Sequence, residues 1–501
     1  MDVLNQIEAE NFAVVANGGT HRSVLDAAAR VVGADRVISP DAAPLRLGPN
    51  VGRFRARNVL GVIRPRGADE VRQVIEIFAT SPHSGALHPV STGRNWGLGS
   101  REPATDNAVV LDLSGLDRIR GIDLTGGWAV VEPGVTQGRL AHRLLGTERT
   151  VNLTASSMHT SVVGNVLDRG VGLRSQRVDD LLGLEVVLPD GELIRVGWWP
   201  DPDRPAPVYP HGLGPDPLGM FVQSNLGVVT AAAVRLPPRP EAVRVVRLNF
   251  APERLAAVMD VLRRWVAQGL ARGVPKVYNP VAARPYRGTE GKFLAHVCVE
   301  GTAAAVDALS ALVTAEAAAT GLFSEISDTD SADPGGDNHE VATLVERSYA
   351  GVPDTDDVLF RAKMRRPGAE VDRWGGGFLF FLPMVPLSGA AVAHAHELLD
   401  RVHENSGIRC GTTQNLLGPD LVDFVVTMRF EPDAPSVERA HRALELMYGL
   451  FTEAGFVPYR LDVDHAGWMD RLSPDPAARR FVRRLKEMLD PDGVIAPGRY
   501  S

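Results

Sequence analysis

After Pro237-Pro238-Arg239-Pro240 the chain repeats one pattern four times, an apolar strand followed by a helix. Val243 to Phe250 leads into a helix ending near Ala267, and Leu294 to Glu300 into the alanine-rich Thr302 to Thr320. The run Phe378-Leu379-Phe380-Phe381-Leu382, stopped by Pro383 and Pro386, leads into Ser388 to Glu404. Leu421 to Phe430 leads into Val437 to Ala454. A strand–helix unit repeated in this way predicts one sheet with its helices packed on one side, in no fixed strand order. The proline cluster is the best domain boundary. Between the second and third units, Ser324 to Arg373 is polar and turn-rich, which predicts either a functional loop or a solvated excursion.

The first half mixes short strands with occasional helices. Val71, Val74, Ile75 and Phe78 give Glu70 to Phe78 a helical period. Ala108 to Leu113 and Trp128 to Glu132 read as strands, and Leu184 to Val196 as a hairpin around Pro189-Asp190-Gly191. At 501 residues the chain is long enough for two or more packed domains. Its net charge of -8 leaves no basic footprint for nucleic acid. Cys298 and Cys410, its 2 cysteines, are too few for a disulfide framework and suit a reducing cytoplasm. Met1 to Gln6 lacks a basic and then apolar leader, and no uninterrupted apolar run reaches the roughly 18 residues of a membrane span. A cytoplasmic protein with no membrane partner is expected.

Three glycine-rich runs carry the chemistry. In Ser91-Thr92-Gly93-Arg94-Asn95-Trp96-Gly97-Leu98-Gly99, glycine permits positive φ and close backbone approach, and successive N–H groups can cradle phosphate oxygens. A plain turn fits the composition equally well, and the spacing is not that of a Walker or Rossmann loop. Gly164 to Gly172 places Asp168 beside Arg169 between glycines, which reads either as a catalytic carboxylate or as a surface ion pair. Gln223 to Thr230 is a polar triplet opening an apolar strand. Histidines are scattered and no His-Glu-x-x-His, Cys-x-x-Cys or Gly-x-Ser-x-Gly occurs, so no metal is expected.

These runs, together with the Phe378 strand and the Asp490 to Gly498 tail, resemble the FAD-dependent oxidoreductases typified by vanillyl-alcohol oxidase and 4-cresol dehydrogenase, from about Val62 to the end. The resemblance implies an α+β protein. Residues 1–240, joined by 459–501, would form a two-subdomain FAD-binding domain of the p-cresol methylhydroxylase type. Residues 241–458 would form a cap over the substrate, an antiparallel sheet covered by helices. It assigns Ser91, Thr92, Gly93, Arg94, Asn95, Trp96, Gly97, Gly164, Asn165, Gly172, Gly227, Val228, Val229 and Arg499 to the cofactor. Asp168 would serve near the flavin as a base or electrostatic partner, and a carboxylate in a water-poor pocket is expected to have a raised pKa unless Arg169 pairs with it. Tyr459 and Arg460 would bind a substrate phenolate, a tyrosyl hydroxyl and a guanidinium being suited to an oxyanion; a core tyrosine beside a surface arginine is the blander reading.

Two positions depart from the family. Phe378 stands where some members place the histidine that bonds to FAD, and a phenyl ring cannot form that bond; Gly368 to Gly377 offers no tyrosine instead. Dissociable FAD is therefore expected. Leu98 stands where a second phenolate-binding tyrosine would lie, and with Phe378 and Phe380 it is expected to shape the substrate pocket. The implied function is hydride transfer to flavin N5 from an alcohol, amine or benzylic C–H of a small organic substrate. O2 or another acceptor would take the electrons, and family likeness suggests a homodimer. The alternative is a redox-neutral protein that keeps the fold to bind or cyclise a metabolite.

Overall fold

A buried parallel strand, Ala108–Asp112, lies between Val59–Ile63 and Ala86–Val90, with Val37–Ile38 antiparallel on the outer edge. Strands covered on both faces need apolar residues at nearly every position. Val109 and Leu111 accordingly meet Val71, Val74, Ile75 and Phe78 of the helix Ala68–Ala79, while Val110 packs with Val62 and Val90 on the other face. The computed structural model describes residues 22–43, 50–81, 84–201, 203, 207–331, 336–373 and 375–500. Met1 to Gln6, read above for a leader, lies outside them, as do Pro334 and Gly335 of the polar segment.

A second sheet of five strands is antiparallel throughout, in the order Ile119–Asp123, Trp128–Val131, Val228–Arg235, Leu181–Val187 and Leu193–Gly197. Val187 and Val228 reach into the core of the first sheet, which locks the two together. The chain's last segment closes that core. Val494 and Ile495 are buried in it, and Ile495 bridges Leu87 in parallel through Leu87 N–H to Val494 O at 2.7 Å and Ala496 N–H to Leu87 O at 2.8 Å.

The four strand–helix units form one antiparallel sheet, as expected. Its order is Glu325–Ser327, Ala242–Phe250, Phe293–Gly301, Lys276–Tyr278, Gly411–Leu416, Leu421–Phe430 and Gly377–Phe381, with Met384–Pro386 pairing the start of Leu421–Phe430. Side chains alternate between the faces of a strand. Val246, Leu248 and Phe250, Phe293, Ala295 and Val297, and Val422, Phe424, Val426 and Met428 all point to one face. There they meet the helices Leu255–Ala267, Gly389–Ser406 and Ala434–Glu453, and Val313 and Ala317 of Ala303–Thr320. Among the described residues, Ala303–Thr320 is the one helix long and apolar enough to cross a membrane. It carries Glu316, which accepts a hydrogen bond from Trp265 Nε1 at 2.7 Å.

The polar segment is not a bare loop. It contains the strand Glu325–Ser327 and the helices Asp337–Tyr349 and Pro353–Met364. Val345 and Tyr349 are buried, and Tyr349 donates its hydroxyl to Val274 O at 2.8 Å. Their four-residue spacing marks one narrow apolar face per helix; the polar majority that suggested a loop forms the other faces.

Candidate functional site

The face of the large sheet away from its helices looks across a cavity of about 830 Å³ toward the glycine-rich loops of the first half. The loops are tied together there. Ser161 caps the short helix Val162–Leu167 by accepting from Gly164 N–H at 2.9 Å, and Ser161 N–H donates to Thr92 Oγ1 at 3.1 Å. A Cβ on Gly164 would lie 2.3 Å from Ser91 Oγ, so only glycine lets the helix approach the loop this closely.

Of the residues singled out in the sequence, Ser91, Thr92, Gly93, Arg94, Asn95, Trp96, Gly164, Asn165, Asp168, Gly227, Val228, Val229, Phe378, Phe380, Tyr459, Arg460 and Arg499 line this one cavity. Gly97, Leu98 and Gly172 are not among the lining residues. Gly97 backs onto Phe380, where a Cβ would come within 2.5 Å of the ring, and Gly172 backs onto Asn152. Leu98 is only 2% exposed, and its carbonyl accepts from Val463 N–H at 3.1 Å. Leu98 thus lies behind the cavity wall and not on it. Phe378 and Phe380 meet edge to face at 4.7 Å and form a wall with Trp96, Phe360 and Met364.

Asp168 is held from three sides. Asn95 Nδ2 donates to its Oδ2 at 3.0 Å and the Tyr500 hydroxyl to its Oδ1 at 3.3 Å. Arg460 donates from Nε to the Asp168 carbonyl and lies 3.5 Å from its carboxylate. The ion pair is thus with Arg460 and not with the neighbouring Arg169, which is exposed. Burial and the two carboxylates of Asp423 and Asp168 push the Tyr459 hydroxyl well above its ordinary range, against the pull of Arg460. That hydroxyl makes no hydrogen bond to a described residue, and Arg460 Nη2 is buried without a partner among them.

The sheet contributes a second ionisable group that the sequence reading missed. Asp423 is buried beside Tyr459, accepts from Asn415 Nδ2 at 2.9 Å, and through Asn415 Oδ1 connects to Lys276 Nζ at 2.5 Å. Burial raises its pKa to about 6, against the pull of Asn415, Arg460 and Lys276. A carboxyl whose pKa is higher folded than unfolded stabilises the fold below its unfolded value, and that contribution is lost as pH rises through the folded value. Asp423→Asn should therefore gain on the wild type by about 2 kcal/mol between pH 4 and pH 7, read as the difference between their urea-unfolding free energies at the two pH values. An unchanged difference would remove Asp423 as a strained acid. A lone Asp in the apolar strand Leu421–Phe430 was the available signal; for Tyr500 and His88, which also line the cavity, there was none.

The wall fits a dinucleotide cofactor. A cavity of this volume is of ligand size, its floor is glycine-lined, and Asn165 Oδ1 and Arg499 Nη1 are buried along it without partners among the described residues. Among the same residues no cluster of three or more His, Cys, Asp or Glu could hold a metal ion. A family profile described as FAD binding domain matches residues 59–197. The chain is 25% identical to the flavoprotein subunit of 4-cresol dehydrogenase (hydroxylating) from Pseudomonas putida, over 86% of this chain and 85% of that one. The chain is thus similar, over most of its length, to the flavoproteins of the vanillyl-alcohol oxidase and 4-cresol dehydrogenase family.

The protein is an FAD-dependent oxidoreductase. It is 29% identical to 1'-carboxy-chondrochloren decarboxylase of Chondromyces crocatus, over 88% of this chain and 90% of that one. Its fold matches that of 4-ethylphenol oxidase from Gulosibacter chungangensis, in complex with isoeugenol, with a TM-score of 0.86 over 96% of this chain and 97% of that one at 21% identity.

Proposed function

We propose that this flavoenzyme oxidises a small organic substrate, phenolic at its reacting end, with FAD held by non-covalent contacts. The observation that supports this best is a pair of adjacent unpartnered donors, the Tyr459 hydroxyl and Arg460 Nη2, in the same cavity as Asp168. Together they would hold a phenolate, whose charge pushes electrons toward the benzylic carbon. FAD bound along the glycine-lined wall supplies the two-electron sink for the hydride that leaves. Asp168, oriented by Asn95 and Tyr500, takes the proton released from an alcohol or amine, or balances the cationic substrate as it forms. O2 or another acceptor then regenerates the oxidised enzyme.

Non-covalent attachment rests on Phe378, which lines the cavity where the resemblance would place the linking histidine. Acid precipitation of the yellow protein is expected to leave the colour in the supernatant. Colour retained in the pellet would show that another residue forms the bond.

The Chondromyces relative favours a second reading, in which hydride leaves to the flavin and a substrate carboxylate is then lost as CO2, its bonding pair staying on the oxidised carbon skeleton as a new double bond. Anaerobic mixing with candidate phenols separates the readings. Bleaching of the flavin without CO2 supports hydride removal, and bleaching with CO2 supports oxidative decarboxylation. A chemical change in the substrate with no bleaching would indicate the redox-neutral alternative.

A further inference from the structure

The cavity is charged unevenly from end to end. Asp168 and Asp423, the acids among its described lining residues, lie with Tyr459 and Arg460. Six residues further along the strand Leu421–Phe430, Arg429 lines the same cavity. At a rise of about 3.4 Å per residue, that separates Asp423 from Arg429 by roughly 20 Å. Between them the lining face carries Val425 and Thr427, flanked by Tyr278, Phe378 and Phe380.

Four arginines gather at the far end. The register pairs Phe378 with Arg429 and Gly411 with Thr427, and extending it by one step on the same face sets Arg409 across from Arg429. Arg365 follows the helix Pro353–Met364; partial burial of the Arg429 guanidinium's base and then the charge of Arg365 push its pKa down, although its end reaches solvent. Arg284 follows the short helix Pro280–Ala283, whose Val281 and Ala282 sit 3.6 and 3.7 Å from the Cβ position of Gly411. All four are exposed, all line the cavity, and none has an acidic partner among the described residues. Such a cluster stands out in a chain of net charge -8, where arginines such as Arg57, Arg120 and Arg174 are paired with acids. Like charges held together without a counter-ion repel, and guanidiniums bind carboxylate or phosphate oxygens in pairs.

We propose that the substrate is an elongated organic anion, whose carboxylate or phosphate terminus is held at this rim by Arg365 and Arg429, with Arg284 and Arg409, while its other end reaches Tyr459 and Asp168. The proposal rests on the reading of the Tyr459 end as the reacting one. It makes the rim a second recognition point, remote from the chemistry, that selects for length and for terminal charge.

The test is calorimetric titration of the holoenzyme with three phenol-terminated alkyl chains of one length, ending in a carboxylate, a phosphate monoester and a neutral methyl ester. At least one anion is expected to bind ten times or more tightly than the ester, and the better one identifies the terminus. The preference should weaken with salt and collapse toward equality in the Arg365→Gln/Arg429→Gln double variant. Both side chains are exposed, so the variant should fold, which its melting temperature checks. Equal binding of ester and anions, no binding of either anion, or a preference that survives the double substitution overturns the proposal. Heat of binding does not depend on electron transfer. An anion preference with no flavin reduction would therefore count against the reaction proposed above and not against the rim.

Discussion

Asp168→Asn is expected to slow anaerobic reduction of the bound flavin by about 100-fold, roughly 2.7 kcal/mol in barrier. The substitution keeps the size of the side chain and a carbonyl oxygen to accept from Asn95 Nδ2, but it removes the charge 3.5 Å from Arg460. A group that accepts a proton, or balances a positive charge developing on the substrate, loses that ability in the amide. Arg460 is at the same time left buried without its carboxylate, so its free Nη2 should hold a substrate phenolate at least as well. The expected pattern is therefore a large loss in the rate of reduction with little loss in binding. Stopped-flow reduction across substrate concentrations separates the two, with the flavin spectrum as a check that the cofactor is still in place. Reduction at the wild-type rate would remove Asp168 from the mechanism.

Lys486→Met should destabilise the protein by about 3–5 kcal/mol, the usual cost of breaking a buried ion pair by removing one partner. Lys486 Nζ donates to Asp490 Oδ2 at 2.5 Å, to Asn225 O at 2.7 Å and to Ile495 O at 2.8 Å. Asp490 in turn accepts from Val494 N–H at 2.8 Å and Ile495 N–H at 2.9 Å. One ammonium thus ties the helix Pro476–Leu489 to the Asn225 turn and to the tail segment that bridges Leu87. Arg499 and Tyr500, which line the cavity, follow a few residues later. The variant should lose flavin on gel filtration well before it loses secondary structure. Urea unfolding measures the first effect and the ratio of visible to ultraviolet absorbance the second. A variant as stable as the wild type would show that water replaces the ammonium at no cost.

The strand–helix units were legible because each presents both periods clearly: apolar runs such as Phe378 to Leu382 and helical faces such as Leu255, Val258, Met259 and Leu262. The sheet's remaining members were not. Lys276–Tyr278 is three residues long, and Gly411–Leu416 reads Gly-Thr-Thr-Gln-Asn-Leu, polar on both faces, with Thr413 and Asn415 toward the cavity and Gln414 bonded to His396 on the helix side. Strand order depends on contacts between segments far apart in the chain, which no local pattern carries. The site divides in the same way. Glycine-rich wording drew attention to the loops around Gly93 and Gly164, because close backbone approach needs glycine. Leu98 was placed in the pocket by its neighbours in the motif, which do not say which side chains of a turn face the cavity. Lys276 and Tyr500 belong to the site through folding alone, and Asp423 was marked only by being a lone acid in an apolar strand.

The alternation along Leu421–Phe430 has a use in protein engineering. Asp423, Val425, Thr427 and Arg429 face the cavity, while Val422, Phe424, Val426, Met428 and Phe430 hold the sheet to its helices. A combinatorial library confined to the cavity-facing positions, with Thr413 and Asn415 on the neighbouring strand, would resample the shape and charge of the pocket and leave the helix-facing core intact. Selectivity and foldability are written on opposite faces of the same strands, so new substrates can be sought with little loss of viable clones.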